Sequence, residues 1–188
     1  KLDTIDTLQY LHESIVHQYP NGTYHKISSI NGYLTAIPAN FFSRTSVEKI
    51  ILGDQITYIV DEALKNCGNL KYIYLSDNVY KLGNRCFEKC KSLSRIHIPK
   101  NSLFGDDIFL DCESLKEFGT YNKGCVSDDN MCYIIPDTNT LMFFAQGGLS
   151  NENGSYKIPD NITKINRSAF RGSKIKNITL NKSVKTIG

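Results

Sequence analysis

Between Asn84 and Pro99 the chain reads NRCFEKCKSLSRIHIP, with Cys86, Cys90 and His97 close together. Thiolate and imidazole at such spacing would suit a zinc ion, and the two cysteines alone would suit a redox centre. A second pair, Cys125 and Cys132, flanks VSDDNM. It either forms a disulfide in an oxidising compartment or stays as two thiols. The SDDN within it offers oxygen ligands but lacks the spacing of an EF-hand loop, and reads as a turn.

Nucleophilic catalysis needs a base and an orienting group beside the nucleophile. The four histidines are His12, His17, His25 and His97. His12 and His17, five residues apart, do not share a helix face. No G-x-S-x-G, H-E-x-x-H, P-loop or G-x-G-x-x-G run occurs. The expectation is a protein that is not an enzyme and needs no cofactor or metal. A net charge of +3, from 22 basic and 19 acidic residues, argues against a nucleic-acid partner. No apolar run reaches the length of a membrane span. At 188 residues the chain can bury a sizeable core.

What positions these residues is a repeat. ITYIVDEALKNCGNLKYIYL (56–75) aligns with VYKLGNRCFEKCKSLSRIHI (79–98) at every apolar position. Phe42, Leu64, Phe87, Phe109 and Phe170 share one slot, at spacings of 22, 23, 22 and 61. Val47, Leu70, Leu93, Leu115 and Ile175 share a second. Ile50, Ile73, Ile96, Phe118 and Ile178 share a third, and Ile37, Ile59, Leu82, Phe104 and Ile165 a fourth. Such a period predicts a solenoid in which each coil buries its apolar edge on its neighbours. Cys67, Cys90 and Cys112 then form one ladder, and Cys86 takes the small slot filled elsewhere by Ala63 and Ala169. His97 belongs to the exposed side of its strand, so the three ligand-like side chains diverge.

The unit V-x-x-I-x-x-x-A-F-x-x-C-x-x-L-x-x-I-x-I-P, and the stretch YKIPDNITKINRSAFRGSKIKNITL above all, resembles the BspA-like (treponemal-type) leucine-rich repeat family. The resemblance covers about residues 33–188. Leu64 departs from it in place of Phe, Cys86 in place of Ala and Ser173 in place of Cys. It implies a leucine-rich repeat solenoid of α/β type, strand-dominated and right-handed. It also implies a binding scaffold at the surface of, or secreted from, bacteria and some protists.

Two segments break the period. In residues 1–29, Ile5, Leu8, Leu11, Ile15, Val16 and Tyr19 fall at helical spacing before Pro20-Asn21-Gly22, which predicts an N-terminal helical cap over the open stack. The array proper is then residues 30–188, with an irregular unit at about 119–156. There MCYIIPDTNTLMFF reads as a hairpin around Pro136–Asn139. The family carries a similar unit with a Y-x-x-D-x-x-x-L run, matched here by Tyr133, Asp137 and Leu141. SVKTIG ends where the next xxAF would follow, so the array is expected to continue beyond Gly188.

Strands are expected at 47–52, 70–75, 93–98, 115–118 and 175–180, all in one sheet. Its outward residues form the candidate partner-binding face: Lys49, Lys71, Tyr72, Tyr74, Arg95, His97 and Lys116. Tyr72 is expected beside Arg95, and Tyr74 beside His97, at about the 4.8 Å strand separation. Tyrosine and arginine are favoured anchors at interfaces. The expected partner is a protein or an extracellular-matrix component, with the chain at the cell surface or secreted and acting in adhesion or protein–protein interaction. Six N-x-S/T sequons suit that location. The alternative is an intracellular scaffold in a cytoplasmic or cytoskeletal assembly, for which ladder cysteines outside disulfides are equally suited.

Overall fold

The structure, a computed structural model, describes residues 25–27, 34–99, 102–119, 125–127, 129, 131–149 and 153–188. Each repeat makes two short strands joined by tight turns. The strands in chain order are β1 His25–Ile27, β2 Ala36–Ile37, β3 Lys49–Leu52, β4 Tyr58–Ile59 and β5 Tyr72–Tyr74. Then come β6 Lys81–Leu82, β7 Arg95–His97, β8 Leu103–Phe104, β9 Glu117–Gly119 and β10 Cys132–Ile135. The last are β11 Thr140–Phe144, β12 Ser155–Lys157, β13 Lys164–Ile165, β14 Asn177–Thr179 and β15 Thr186–Ile187.

The odd strands up to β9, with β12 and β14, carry the third slot. They pair in parallel within three ladders: β1-β3-β5, β7-β9 and β12-β14. The fourth slot makes a second set that the single-sheet expectation lacked. There β2-β4-β6-β8 and β11-β13-β15 pair in parallel, with Ile37, Ile59, Leu82 and Phe104 in register and Leu141, Ile165 and Ile187 likewise. The sequence showed this slot at the same period, but two-residue strands are too short to alternate visibly.

The expected single sheet is also corrected. Ile73 pairs with Ile50, and Ile96 with Phe118, but β5 and β7 lie in separate ladders. They remain side by side without being ladder-bonded. The coils are held there by core packing: Ile73 and Ile96 are both buried. The α/β expectation gives way too. Among the described residues no α-helix joins the strands, and the one helical turn is the 3-10 segment Pro136–Thr138. The predicted cap helix lies outside the described residues; of the segment 1–29 that was expected to hold it, β1 pairs with β3.

Turns replace helices because each corner uses left-handed residues. Asn40 and Arg44, Glu62 and Asn66, Arg85 and Lys89, and Asp107 and Asp111 all have positive φ between 53° and 64°. Two such residues four apart reverse the chain too sharply for helical hydrogen bonding. Their N–H groups bond the next coil instead, as Glu62 N–H to Asn84 O (2.9 Å) and Arg85 N–H to Asp106 O (2.9 Å).

The cysteine ladder supplies donors to this spiral. Cys67 Sγ donates to Phe42 O (2.8 Å), Cys90 Sγ to Leu64 O (3.3 Å) and Cys112 Sγ to Phe87 O (3.1 Å). Each thiol is a second donor to a carbonyl of the preceding coil that already accepts a turn N–H, from Thr45, Cys67 and Cys90 respectively. Burial pushes the Cys112 thiol up to about 12, so it stays a neutral donor.

The coil that follows β10 is two residues short. Four residues separate Ile59 from Leu64 and Leu82 from Phe87, but two separate Leu141 from Phe144. Phe144 N–H still bonds Ala169 O (2.9 Å), the bond that Leu64 N–H makes to Cys86 O (2.9 Å). The missing corner leaves a gap in the turn edge. Asp106 and Asp107, before it, meet Arg167 and Arg171, after it, as ion pairs. The antiparallel β10–β11 pair closes the first core, with Phe104, Phe109, Phe118, Tyr133 and Phe143 in mutual ring contact. A second core, around Ile134, Leu141, Phe144, Tyr156, Ile158 and Ile165, begins on its other side.

Candidate interaction face

Outward positions of the first strand set follow from the pleat: the third-slot residue points in and its neighbours point out. On β3 and β5, Lys49 is in register with Tyr72 and Ile51 with Tyr74. Tyr72 is 45% exposed, and Lys49 Nζ sits 5.3 Å from the centre of its ring. That places a cation on the electron-rich ring face, an attraction of about 0.5–1 kcal/mol at an exposed site. Tyr74 is half-buried. Lys71, just before β5, pairs with Glu48 at 3.0 Å; both are well exposed, so the pair contributes little.

On β7 and β9, Arg95 is in register with Glu117, and its Nε lies 3.3 Å from Glu117 Oε1. His97 is half-buried opposite Gly119. A Cβ at Gly119 would stand 2.9 Å from His97 Nδ1, so glycine leaves room for the imidazole. Burial first, and the neighbouring Arg95 second, hold the His97 pKa below its ordinary value. Lys116 is exposed, and its N–H donates to Ser94 O (2.9 Å).

The seven expected residues therefore fall in two neighbouring groups. Lys49, Lys71, Tyr72 and Tyr74 lie on the β3–β5 ladder; Arg95, His97 and Lys116 lie on the β7–β9 ladder. The expected Tyr72–Arg95 and Tyr74–His97 neighbours are not ladder partners, because hydrogen bonding lapses between β5 and β7. The residue pairs that form instead are Lys49–Tyr72 and Arg95–Glu117. Cys86 and Cys90 are fully buried while His97 opens to the other side, and no cluster suited to a metal ion occurs among the described residues.

Sequence reasoning missed a second exposed patch. On the other strand set Lys81 Nζ sits 4.7 Å from the Tyr58 ring, flanked by Tyr80 (52% exposed) and Leu103 (62%). It also missed the turn edge, where Asp61 accepts from Asn84 N–H and Nδ2 (both 2.9 Å) and Asn84 Oδ1 accepts from Asp106 N–H (2.8 Å). The signal available was the 22- and 23-residue recurrence of polar residues two places after the fourth slot.

The BspA type leucine rich repeat region, in six copies, matches residues 20–132 and 149–188. No curated protein sequence matches the chain. Among solved structures, the pneumococcal vaccine antigen PcpA is similar at 23% identity and a TM-score of 0.68, over 82% of this chain and 39% of its own. A leucine-rich repeat protein of T. pallidum is similar at 21% identity and a TM-score of 0.60, over 88% of this chain and 73% of its own. One from Bacteroides ovatus is similar at 20% identity and a TM-score of 0.51, over 82% and 43%. The chain thus spans about two fifths of the pneumococcal antigen, and these likenesses speak to the fold. The chain belongs to the BspA-type leucine-rich repeat family.

Proposed function

We propose that this BspA-type leucine-rich repeat chain is a non-catalytic interaction module whose first-sheet outward face binds a protein or matrix partner. The observation that carries the reading is Tyr72. Its ring is nearly half exposed and held by Lys49, on a parallel strand whose inward neighbours are fully buried. A pre-positioned ring has little rotamer entropy left to lose on binding. Arg95 and His97 extend the face on the adjacent ladder. A surface or secreted location suits this reading, since the structurally similar pneumococcal protein is described as a vaccine antigen.

The alternative, an intracellular scaffold, draws on the cysteines: all six are buried and none is in a disulfide. The test is to capture the partner from the native source and compare the Tyr72→Ala/Tyr74→Ala variant with the unaltered chain. A central anchor costs at least ~2 kcal/mol, about thirtyfold in affinity. Unchanged affinity with intact circular dichroism would show that the face is not the site.

A further inference from the structure

We infer that the first-sheet outward face recognises a sulfated polysaccharide laid along the stacking axis; the inference rests on reading that face as the binding surface. The ground is a charge polarity that the small net charge conceals. At the position before each strand and at its first and third residues, the face presents Lys49, Lys71, Arg95, Lys116, Lys157 and Lys176. Against them stand two acids, Glu48 and Glu117. The face therefore carries +4, more than the +3 of the whole chain.

On the turn edge the balance reverses only slightly: Asp61, Glu62, Asp106 and Asp107 line one groove with Arg85, Arg167 and Arg171, a net charge of −1. Both acids on the face are engaged locally, Glu48 by Lys71 and Glu117 by Arg95, and Lys157 is paired with Asp160 just beyond its strand. Lys116 and Lys176 have no ion pair among the described residues. A surface so polarised draws an anion toward one side.

The shape favours a linear glycan over an acidic protein segment. Most coils add a cation, at staggered positions along the strands, since Lys49 lies opposite Tyr72 and Arg95 opposite Glu117, so the charge is spread across the strands rather than gathered in a pocket. A peptide joining by strand addition needs a sheet edge, and an amphipathic helix needs an apolar groove. Among the large apolar side chains that are exposed, Tyr72 and Ile178 lie in this strand set, on different ladders. A sulfated chain requires neither edge nor groove. It offers an anion on successive sugars and C–H faces for the Tyr72 and Tyr74 rings.

The test uses the 188-residue chain and heparin oligosaccharide by calorimetry, with desulfated heparin, poly-glutamate and single-stranded DNA of matched charge as comparisons. Heparin is expected to bind tighter than all three. Loss of one cation facing an anionic surface weakens binding several-fold. The variant Lys71→Ala/Arg95→Ala/Lys116→Ala should therefore bind at least tenfold more weakly. Lys164→Ala/Lys182→Ala/Lys185→Ala, off the face, should change affinity less than twofold. Equal or tighter binding of DNA or desulfated heparin would overturn the proposal, as would no heparin binding. Tighter binding of poly-glutamate with the same dependence on Lys71, Arg95 and Lys116 would assign the face to acidic protein instead, and also overturn it. If heparin fails while Tyr72→Ala/Tyr74→Ala still weakens the captured partner, only the glycan inference falls. If heparin binds and only the off-face variant weakens it, both readings of the face fall.

Discussion

The thiol of Cys90 donates to the Leu64 carbonyl inside the buried core. The same slot holds Thr45 in the first coil, whose Oγ1 donates to Phe42 O at 2.8 Å, and Ser173 near the end. A hydroxyl should therefore serve where a methyl does not. Cys90→Ala leaves a small void and removes one of the two donors to Leu64 O, the other being Cys67 N–H (3.2 Å), and should cost about 1 kcal/mol. Cys90→Ser should cost less than half of that, and urea midpoints compare them. A serine variant less stable than the alanine variant would contradict the donor role. His97 gives a second residue-scale test. Its folded pKa is held down by burial first and Arg95 second. The folded state thus takes up a proton less readily than the unfolded chain. The stability from His97 is present above the unfolded value, about 6.5, and is lost as pH falls through the folded value. An NMR titration should place His97 below 6.5, and Arg95→Ala should raise it only part of the way, because burial remains. A full return to 6.5 would make the guanidinium the main cause.

The short coil after β10 makes the two ion pairs at the turn edge unequal. Arg167 and Asp106 are both largely exposed, at 71% and 62% of their side chains. Arg171 pairs with Asp107, whose side chain is 6% exposed. Arg167→Ala should cost under ~1 kcal/mol. Arg171→Ala strands a buried carboxylate and should cost about 2 kcal/mol, below the range for fully buried pairs because Arg171 itself is half exposed. Equal shifts in urea midpoint would mean that the gap is not sealed by Asp107. Little of this junction was legible in the sequence. The 61-residue jump in the first slot marked an interruption, but Phe144, which continues that slot, is disguised by the two missing residues. The regular coils were legible because large apolar residues at a 22- or 23-residue period have one economical packing, stacked and inward. Strand starts shifted by two residues: 49–52 and 72–74 form where 47–52 and 70–75 were expected. Val47 and Leu70 are buried by the turn entering the strand, so burial alone could not mark the boundary. The lapse between β5 and β7 has no sequence signal, since Ile73 and Ile96 fit an unbroken ladder equally well. Of the candidate face, the outward residues were readable from alternation. Their partners, such as Lys49 on Tyr72, depend on where each ladder begins and ends.

At the scale of the whole molecule, the array offers three surfaces of different character. The first strand set is basic with tyrosines, the second carries Tyr58, Tyr80 and Leu103, and the turn edge between them carries acids paired with arginines. No helix among the described residues is long and apolar enough to cross a membrane. The proposed recognition surface is the first of the three. Amide and side-chain NMR shift mapping with the captured partner tests this most directly, because it reads all surfaces in one sample. Perturbations are expected to centre on Lys49, Tyr72, Arg95 and Lys116, with Tyr58, Tyr80, Leu103 and Asn84 unmoved. Perturbations centred on Tyr80 and Leu103, or on the Asp61–Asn84–Asp106 edge, with the first strand set unmoved, would contradict it.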